Sequence, residues 1–332
     1  MFLLKMRNIL SMSVIELVEN NIIFGPVISR RFGTSLGIDL SPTQKQCNFD
    51  CLYCELAPAL SVDTQEKSLH VKSIIQALKK SLQEHSNIDV ITITANGEPT
   101  LYPYLDALID AIKALKLEIK LLILTNSATL NDTKTYQTLL KFDQVKLSLD
   151  AVSEDIFKKI DRPHKEIQIE DIIYHVKQFS QEFQGELFIE ILFVAGLNDT
   201  KEEIARLNEV LLHVRANRID IGTIDRPPAY PVEALNYEQL MDISLMFVPS
   251  LPIHIASRKK INTKASHYCA EEIVNTLDKR PLSEDDIEIL FDANTKKTLQ
   301  KLLDQNKILK IDRSGVIFYI LEENLHRKRK KA

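Results

Sequence analysis

Residues 34–55 read TSLGIDLSPTQKQCNFDCLYCE: a short apolar run, Thr34–Leu40, leads into a loop that carries Cys47, Cys51 and Cys54. A run this short, followed at once by Ser-Pro, predicts a strand rather than a helix. The thiols therefore stand at the carboxyl end of that strand. The same arrangement recurs down the chain. Asn96-Gly97-Glu98-Pro99 follows Ile88–Thr94, Thr125-Asn126 closes Ile119–Thr125, and Asp150 closes Gln144–Asp150. Gly196 follows Glu186–Phe193 and Asp225-Arg226 follows Arg218–Ile224, with a weaker seventh candidate at Pro252–Ala256.

Amphipathic stretches separate these runs. Val71, Ile74, Ile75, Leu78 and Leu82 fall on one helical face, as do Leu105, Leu108, Ile109, Ile112 and Leu115, and again Ile204, Leu207, Leu211 and Val214. Such stripes cover a sheet, and strands alternating with helices predict a parallel one with right-handed crossovers. An open doubly wound sheet gathers its ligand residues at one switch point, whereas a barrel presents them at every strand end. The spread of unusual residues over six strand ends favours the barrel, so the expected fold is α/β, a partial (βα)6 TIM-like barrel. After about residue 265 the rhythm changes to three helical segments, Ala270–Lys279, Ser283–Phe291 and Asn294–Gln305. Two short strands follow, Ile308–Asp312 and Val316–Ile320, joined through Ser314-Gly315. Ser283 with Asp286 reads as a capping box. Three helices and a hairpin describe a small winged-helix domain. The expected division is an N-terminal extension 1–20, a core 21–262, a winged-helix-like domain 263–325 and a basic tail 326–332.

The 332 residues are 45% hydrophobic and 27% charged, the balance of an ordinary globular protein. No apolar run approaches the ~20 residues a membrane helix needs. The opening MFLLKMRNILSM has no small-residue cleavage site, which predicts no signal peptide and a cytoplasmic location. A net charge of −4 argues against non-specific coating of nucleic acid or membrane. The run Arg327–Lys331 is basic, and such tails are ordinarily solvated.

Of four cysteines, three fall within the spacing C-x3-C-x2-C. In a reducing compartment that clustering points to metal. Three thiolates on one tight loop can each ligate one iron of a cubane cluster and leave the fourth iron open to a small molecule. Structural zinc is the competing reading, but it wants four protein ligands and no His lies between Lys45 and Lys67. Cys269 or a distant His would have to complete it.

Here the sequence resembles the radical S-adenosylmethionine (SAM) superfamily, whose signature is this spacing with an aromatic residue before the third cysteine, Tyr53 in this chain. The run FGPVISRRFGTSLGIDLSP, residues 24–42, is similar to the Fe-S oxidoreductases related to the tRNA wyosine synthases. The resemblance implies one 4Fe-4S cluster held by Cys47, Cys51 and Cys54, with the amino and carboxylate groups of SAM on the open iron. It implies reductive cleavage of SAM to a 5′-deoxyadenosyl radical and hydrogen abstraction from a substrate. Asn96-Gly97-Glu98 stands where the superfamily holds the SAM amino group with Gly-Gly-Glu, Asn96 replacing the first glycine. Ser148, Asp150 and Asn126 stand where polar residues meet the ribose or carboxylate of SAM. Tyr53 and Gly196 match positions near the adenine. Capping of a following helix, an aromatic in the core and a turn glycine are the plainer readings of Asp150 or Asn126, Tyr53 and Gly196.

Arg30 and Arg31 precede the first strand and Arg226 follows the sixth. Arginine at a barrel mouth suits an anionic substrate, which its planar fork can hold with two bonds. His267 and Cys269 read as ordinary residues of the junction. A low-potential donor such as flavodoxin or ferredoxin is the implied electron source, and tRNA or another nucleic acid the implied partner. Wyosine synthases carry further cysteines for a second cluster; here one remains, so a second cysteine-ligated cubane is excluded. The competing function is a metal-stabilised nucleic-acid-binding or regulatory protein without SAM chemistry.

Overall fold

The structure is a computed structural model that describes residues 22–29, 31–255, 265, 267–279, 281–313 and 316–323. Eight strands form one sheet in chain order: β1 (Ile23–Ser29), β2 (Gly33–Asp39), β3 (Val90–Thr94), β4 (Lys120–Thr125), β5 (Gln144–Ser148), β6 (Glu186–Phe193), β7 (Arg218–Thr223) and β8 (Ile253–Ile255). β1 pairs antiparallel with β2, and every later pairing is parallel. Each crossover is helical: α1 (Val71–Glu84), α2 (Leu105–Lys113), α3 (Thr133–Leu139), the pair α4 (Glu154–Ile160) and α5 (Ile169–Glu182), α6 (Lys201–Leu211) and α7 (Tyr237–Met246).

Strand alternation sorts the two faces. Val145, Leu147, Ile189, Ile191, Ile219 and Ile221 turn outward and are wholly buried with Ile74, Leu78, Leu108 and Leu207 of the helices. The alternate residues turn inward and include a polar set: Ser35 bonds Thr92 at 2.7 Å, and Lys146, Glu190 and Asp220 meet across β5, β6 and β7 through their shared ion pairs with Arg31 and one another. A flat parallel sheet sandwiched between helix layers would be apolar on both faces. A charged inner face belongs to a sheet curled around a lumen, as in the TIM-like barrels.

β1 escapes the alternation pattern because Gly25-Pro26 interrupts it. Its other side faces a second core, built from α8 (Ala270–Lys279), β9 (Leu282–Ser283), α9 (Glu284–Leu290), α10 (Ala293–Asp304), β10 (Ile308–Arg313) and β11 (Val316–Leu321). The sheet order here is β10-β11-β9. Ser283 and Asp286 make the expected capping box at the start of α9. Ile28 of β1 packs with Ile273, Leu277, Ile287 and Leu299, and the Tyr268 hydroxyl donates to the Pro26 carbonyl. The expected extension 1–20, the tail 326–332, Arg30, Ala256 and the Ser314-Gly315 turn lie outside the described residues. Among the described residues no helix is long and apolar enough to cross a membrane.

Candidate cluster and cofactor site

The cysteine loop is held by backbone pairing at both ends. At its start, Gln46 N–H donates to the Asn96 carbonyl at 2.8 Å and Glu98 N–H donates to the Gln46 carbonyl at 2.9 Å. Gly97 has φ +136 and a Cβ there would lie 1.9 Å from the Gln46 oxygen, so only glycine lets the two loops close. Further on, Asp50 N–H donates to Asp161 O (3.1 Å), Leu52 N–H to Ile160 O (2.8 Å) and His164 N–H to Asn48 O (2.7 Å). The segment after α4 thus cradles the loop, a role that no spacing in the sequence announces. Asp50 is the electrostatic hub: Lys45 Nζ lies 2.8 Å away, Arg162 3.5 Å, and the Tyr230 hydroxyl donates to it.

Burial dominates the thiols. It pushes Cys47 up to about 12, raises Cys54, and carries Cys51 well above the ordinary thiol range. Only a strongly bound cation makes thiolates of such groups. Lys45 stands beside them: burial works against its charge, but the Cys54 sulfur and Asp50 outweigh it, and the ammonium is held above its ordinary value.

Glu98 is buried, and its carboxylate is fully engaged by protein donors. Oε1 accepts from Thr100 N (3.1 Å), Thr100 Oγ1 (2.7 Å) and Thr125 Oγ1 (2.6 Å), and Oε2 from Asn126 N (2.8 Å). It therefore ties the end of β3 to the end of β4. Asn126 turns to the cysteine loop, with Nδ2 2.6 Å from Asn48 Oδ1 and 3.9 Å from Cys47 Sγ.

Tyr53, Asn126, Ser148, Asp150 and Asp161 line one small pocket beside these cysteines. Tyr53 donates to Asp150, and the other Asp150 oxygen accepts Leu192 N–H at 2.7 Å. Burial pushes Asp150 up to about 7, and Asp161 well above the carboxylate range, with Asp150 as its charged neighbour. Asp161 lies outside any motif, and so does Asn198, whose wholly buried amide bonds Asp150 O at 2.8 Å and Leu192 O at 2.9 Å; sequence reasoning finds neither. Gly196 has φ +71, and a Cβ there would meet nothing within 4 Å, so it serves a turn and faces open space.

The arginines divide. Arg31 leaves the turn after β1 and enters the lumen, where it pairs with Glu190 and lies 3.5 Å from Asp220. Lys146 Nζ holds the other Glu190 oxygen at 2.5 Å. Burial opposes the Glu190 charge, but Lys146 and Arg31 pull it down to about 2. Arg226 stays at the rim and pairs with Glu55 at 2.5 Å, next to Cys54. It clamps the loop after β7 to the cysteine loop, where Ala229 N–H also donates to Cys54 O at 2.8 Å. Cys269 is exposed at the start of α8, and His267 Nδ1 lies 3.4 Å from Asp292.

The family model of the radical SAM superfamily matches residues 41–208, from the end of β2 into α6. The chain belongs to the radical SAM superfamily. A UPF0026 protein of Helicobacter pylori is 39% identical to it over 289 residues, 86% of this chain and 93% of that protein, so it is also a member of the UPF0026 family. A UPF0026 protein of Methanocaldococcus jannaschii is 28% identical over 309 residues, 90% of this chain and 95% of that protein. A radical SAM methyltransferase from Sphaerobacter thermophilus shares the fold, with TM-score 0.51 and 15% identity over 67% of this chain and 66% of that one. Members of this superfamily use a 4Fe-4S cluster and SAM, and the residues of this radical SAM protein fit both. Among the described residues, the group of three candidate ligand atoms within 4.8 Å of one another is Glu84, His85 and Glu272, not the three cysteines. Tetrahedral zinc, with Zn–S near 2.3 Å, sets its sulfurs only about 3.8 Å apart. The three part-buried sulfurs do not all lie within 4.8 Å of one another, a looser set than that cage.

Proposed function

We propose that this radical SAM protein reductively cleaves SAM and abstracts hydrogen from an anionic substrate whose charged group enters the barrel lumen. The observation that carries the reading is the gathering of three part-buried cysteines of one loop beside the pocket of Tyr53, Asn126, Ser148 and Asp150, at the carboxyl mouth of parallel strands. When bound, the cluster supplies the electron that splits SAM into methionine and a 5′-deoxyadenosyl radical. Cys47, Cys51 and Cys54 hold three of its irons. The Asn96–Glu98 loop faces the SAM methionine group with its backbone, and Glu98 shapes that loop through its four donors. Ser148 and Asp150, with Tyr53 fixing the Asp150 carboxyl, offer polar contacts to the ribose. Open space at Gly196 leaves room for the adenine. Arg31 and Lys146, paired with Glu190, offer positive charge in the lumen and Arg226, paired with Glu55, offers it at the rim, so a substrate anion would meet any of them by exchange with its carboxylate partner.

Within this reading the substrate is a tRNA nucleoside, the site of action is the cytoplasm, and a flavodoxin or ferredoxin donates the electron. The order helix, strand, two helices and hairpin from α8 to β11 supports a winged helix at residues 263–325, following a core at 21–262. Lys296, Lys297 and Lys301 of α10 are its candidates for phosphate contact. Anaerobic reconstitution and dithionite should yield 5′-deoxyadenosine from SAM; a reducible cluster that yields none sinks the proposal. Comparison of tRNA nucleosides with and without the gene tests the substrate, and an unchanged profile removes tRNA.

A further inference from the structure

A helix ordinarily leaves a C-terminal lysine in water, where its charge complements the helix dipole at no desolvation cost. α8 does otherwise. Lys279, its last residue, has a side chain only 3% exposed, and its Nζ lies 2.8 Å from Asp39 Oδ2, a carboxylate 2% exposed at the end of β2. Nζ also donates to the Pro42 carbonyl at 3.1 Å, and Asp278 lies 3.6 Å away. Removing two charges from water carries a desolvation cost that their attraction repays only in part. Stability alone is therefore a poor account of the pair, and fixing one element against another is the better-attested use of such a bridge.

What Asp39 does with its other oxygen shows which elements are fixed. Oδ1 accepts the backbone N–H of Ser41 and that of Asn96, each at 2.9 Å. The Ser41 hydroxyl then donates to the Asn96 carbonyl at 3.0 Å, and the same carbonyl accepts Gln46 N–H at 2.8 Å. One carboxylate thus joins the start of the cysteine loop to the Asn96–Glu98 loop, and one lysine from the second core sets that carboxylate. Ile28 and the Tyr268–Pro26 hydrogen bond anchor α8 to β1, so the lysine arrives on a seated helix.

We propose that Lys279 is a positioning residue through which the C-terminal unit sets the geometry of the two loops that bear the cluster and face SAM. It acts on SAM only through Asp39, and it rests on the proposed function for its catalytic consequence, though not for its structural one. Coupling of this kind is reciprocal: whatever α8 does to the loops, a ligand on the loops does to α8.

The test is hydrogen exchange on the full-length, anaerobically reconstituted protein, with Lys279→Met and Asp39→Asn. Asn at 39 keeps an oxygen for the two amides but gives up the ion pair. Both variants should speed exchange across residues 41–47 and 95–98 by about tenfold while the amides of β10 and β11 keep wild-type protection. Adding SAM to the wild type should slow exchange in α8, and Lys279→Met should remove that response while SAM still binds. In turnover the KM for SAM should rise several-fold with a smaller change in kcat. Unchanged exchange at both loops overturns the proposal, and so does a uniform rise over both cores in both variants, which marks the pair as merely structural. If the wild type fails to bind or cleave SAM, the proposed function falls, and the loop exchange still decides whether Lys279 holds the loops.

Discussion

At Gly97 a methyl group would sit 1.9 Å from the Gln46 oxygen on a backbone with φ +136, so Gly97→Ala forces apart the two loops that meet there. The expected cost is roughly 2–4 kcal/mol, together with loss of iron on reconstitution, read by thermal melting and by iron and sulfide assay. Wild-type melting with full iron content would show that the loops do not need that contact. The thiols allow a sharper test. With the metal removed, desolvation favours the thiol form of the part-buried Cys47, Cys51 and Cys54, whereas Cys269 is exposed. Thiolate is the reactive form, so iodoacetamide at pH 8 should alkylate the apo-protein at Cys269 first and the other three at least about tenfold more slowly, as peptide mass spectrometry would show. Prompt labelling of Cys51 would mean that the loop opens without its metal. These residues were legible in the sequence because a spacing of three and two is itself a ligand geometry. Asp161 and Asn198 were not, since their work is done by single contacts to distant loops and leaves no local pattern.

At the scale of elements, six strands were legible to within two residues and three of their connecting helices, α1, α2 and α6, by their apolar stripes, because alternation and the helical stripe each report burial on one side. The helices α3, α4, α5 and α7 were not singled out. β1 was missed for the complementary reason: Gly25-Pro26 breaks the alternation, and its partners lie in the second core. Charged residues inside β5, β6 and β7 were in plain view as the alternate letters of apolar runs, yet a single sequence does not say that they converge. Their convergence has a pH signature. Glu190 is held down at about 2 by Lys146 and Arg31, against an ordinary value of 4.5. A carboxylate lowered on folding adds stability above its unfolded pKa and gives it up as pH falls towards the folded one. The melting temperature should therefore drop between about pH 4.5 and 2, and Glu190→Gln should lose stability at pH 7 while flattening that part of the profile. An equally steep acid limb in Glu190→Gln would assign the dependence to other carboxylates.

Over the whole molecule, β1 is the member common to both cores. On one edge it pairs with β2, and through Ile28 and the Pro26 carbonyl it is covered by α8 and its neighbours. The Lys279–Asp39 bridge ties the same two bodies together at the rim. Units that share a strand and a buried ion pair cannot come apart without exposing apolar surface and stranding a charge, so their unfolding should be coupled. Heating the apo-protein should give a single calorimetric transition whose van't Hoff and calorimetric enthalpies agree, although two core clusters are present. A chain shortened to end at residue 262 should then be more than a loss of an appendage: Ile28 and the Pro26 carbonyl lose their cover, Asp39 loses its cation, and the remaining barrel should melt at least about 5 °C lower and reconstitute less iron. Two resolved transitions in the full chain, or a shortened chain that melts and binds iron like the parent, would make the C-terminal unit an independent passenger. The shared strand argues instead for one cooperative body, with the cluster loop at the seam where a disturbance of either core is felt.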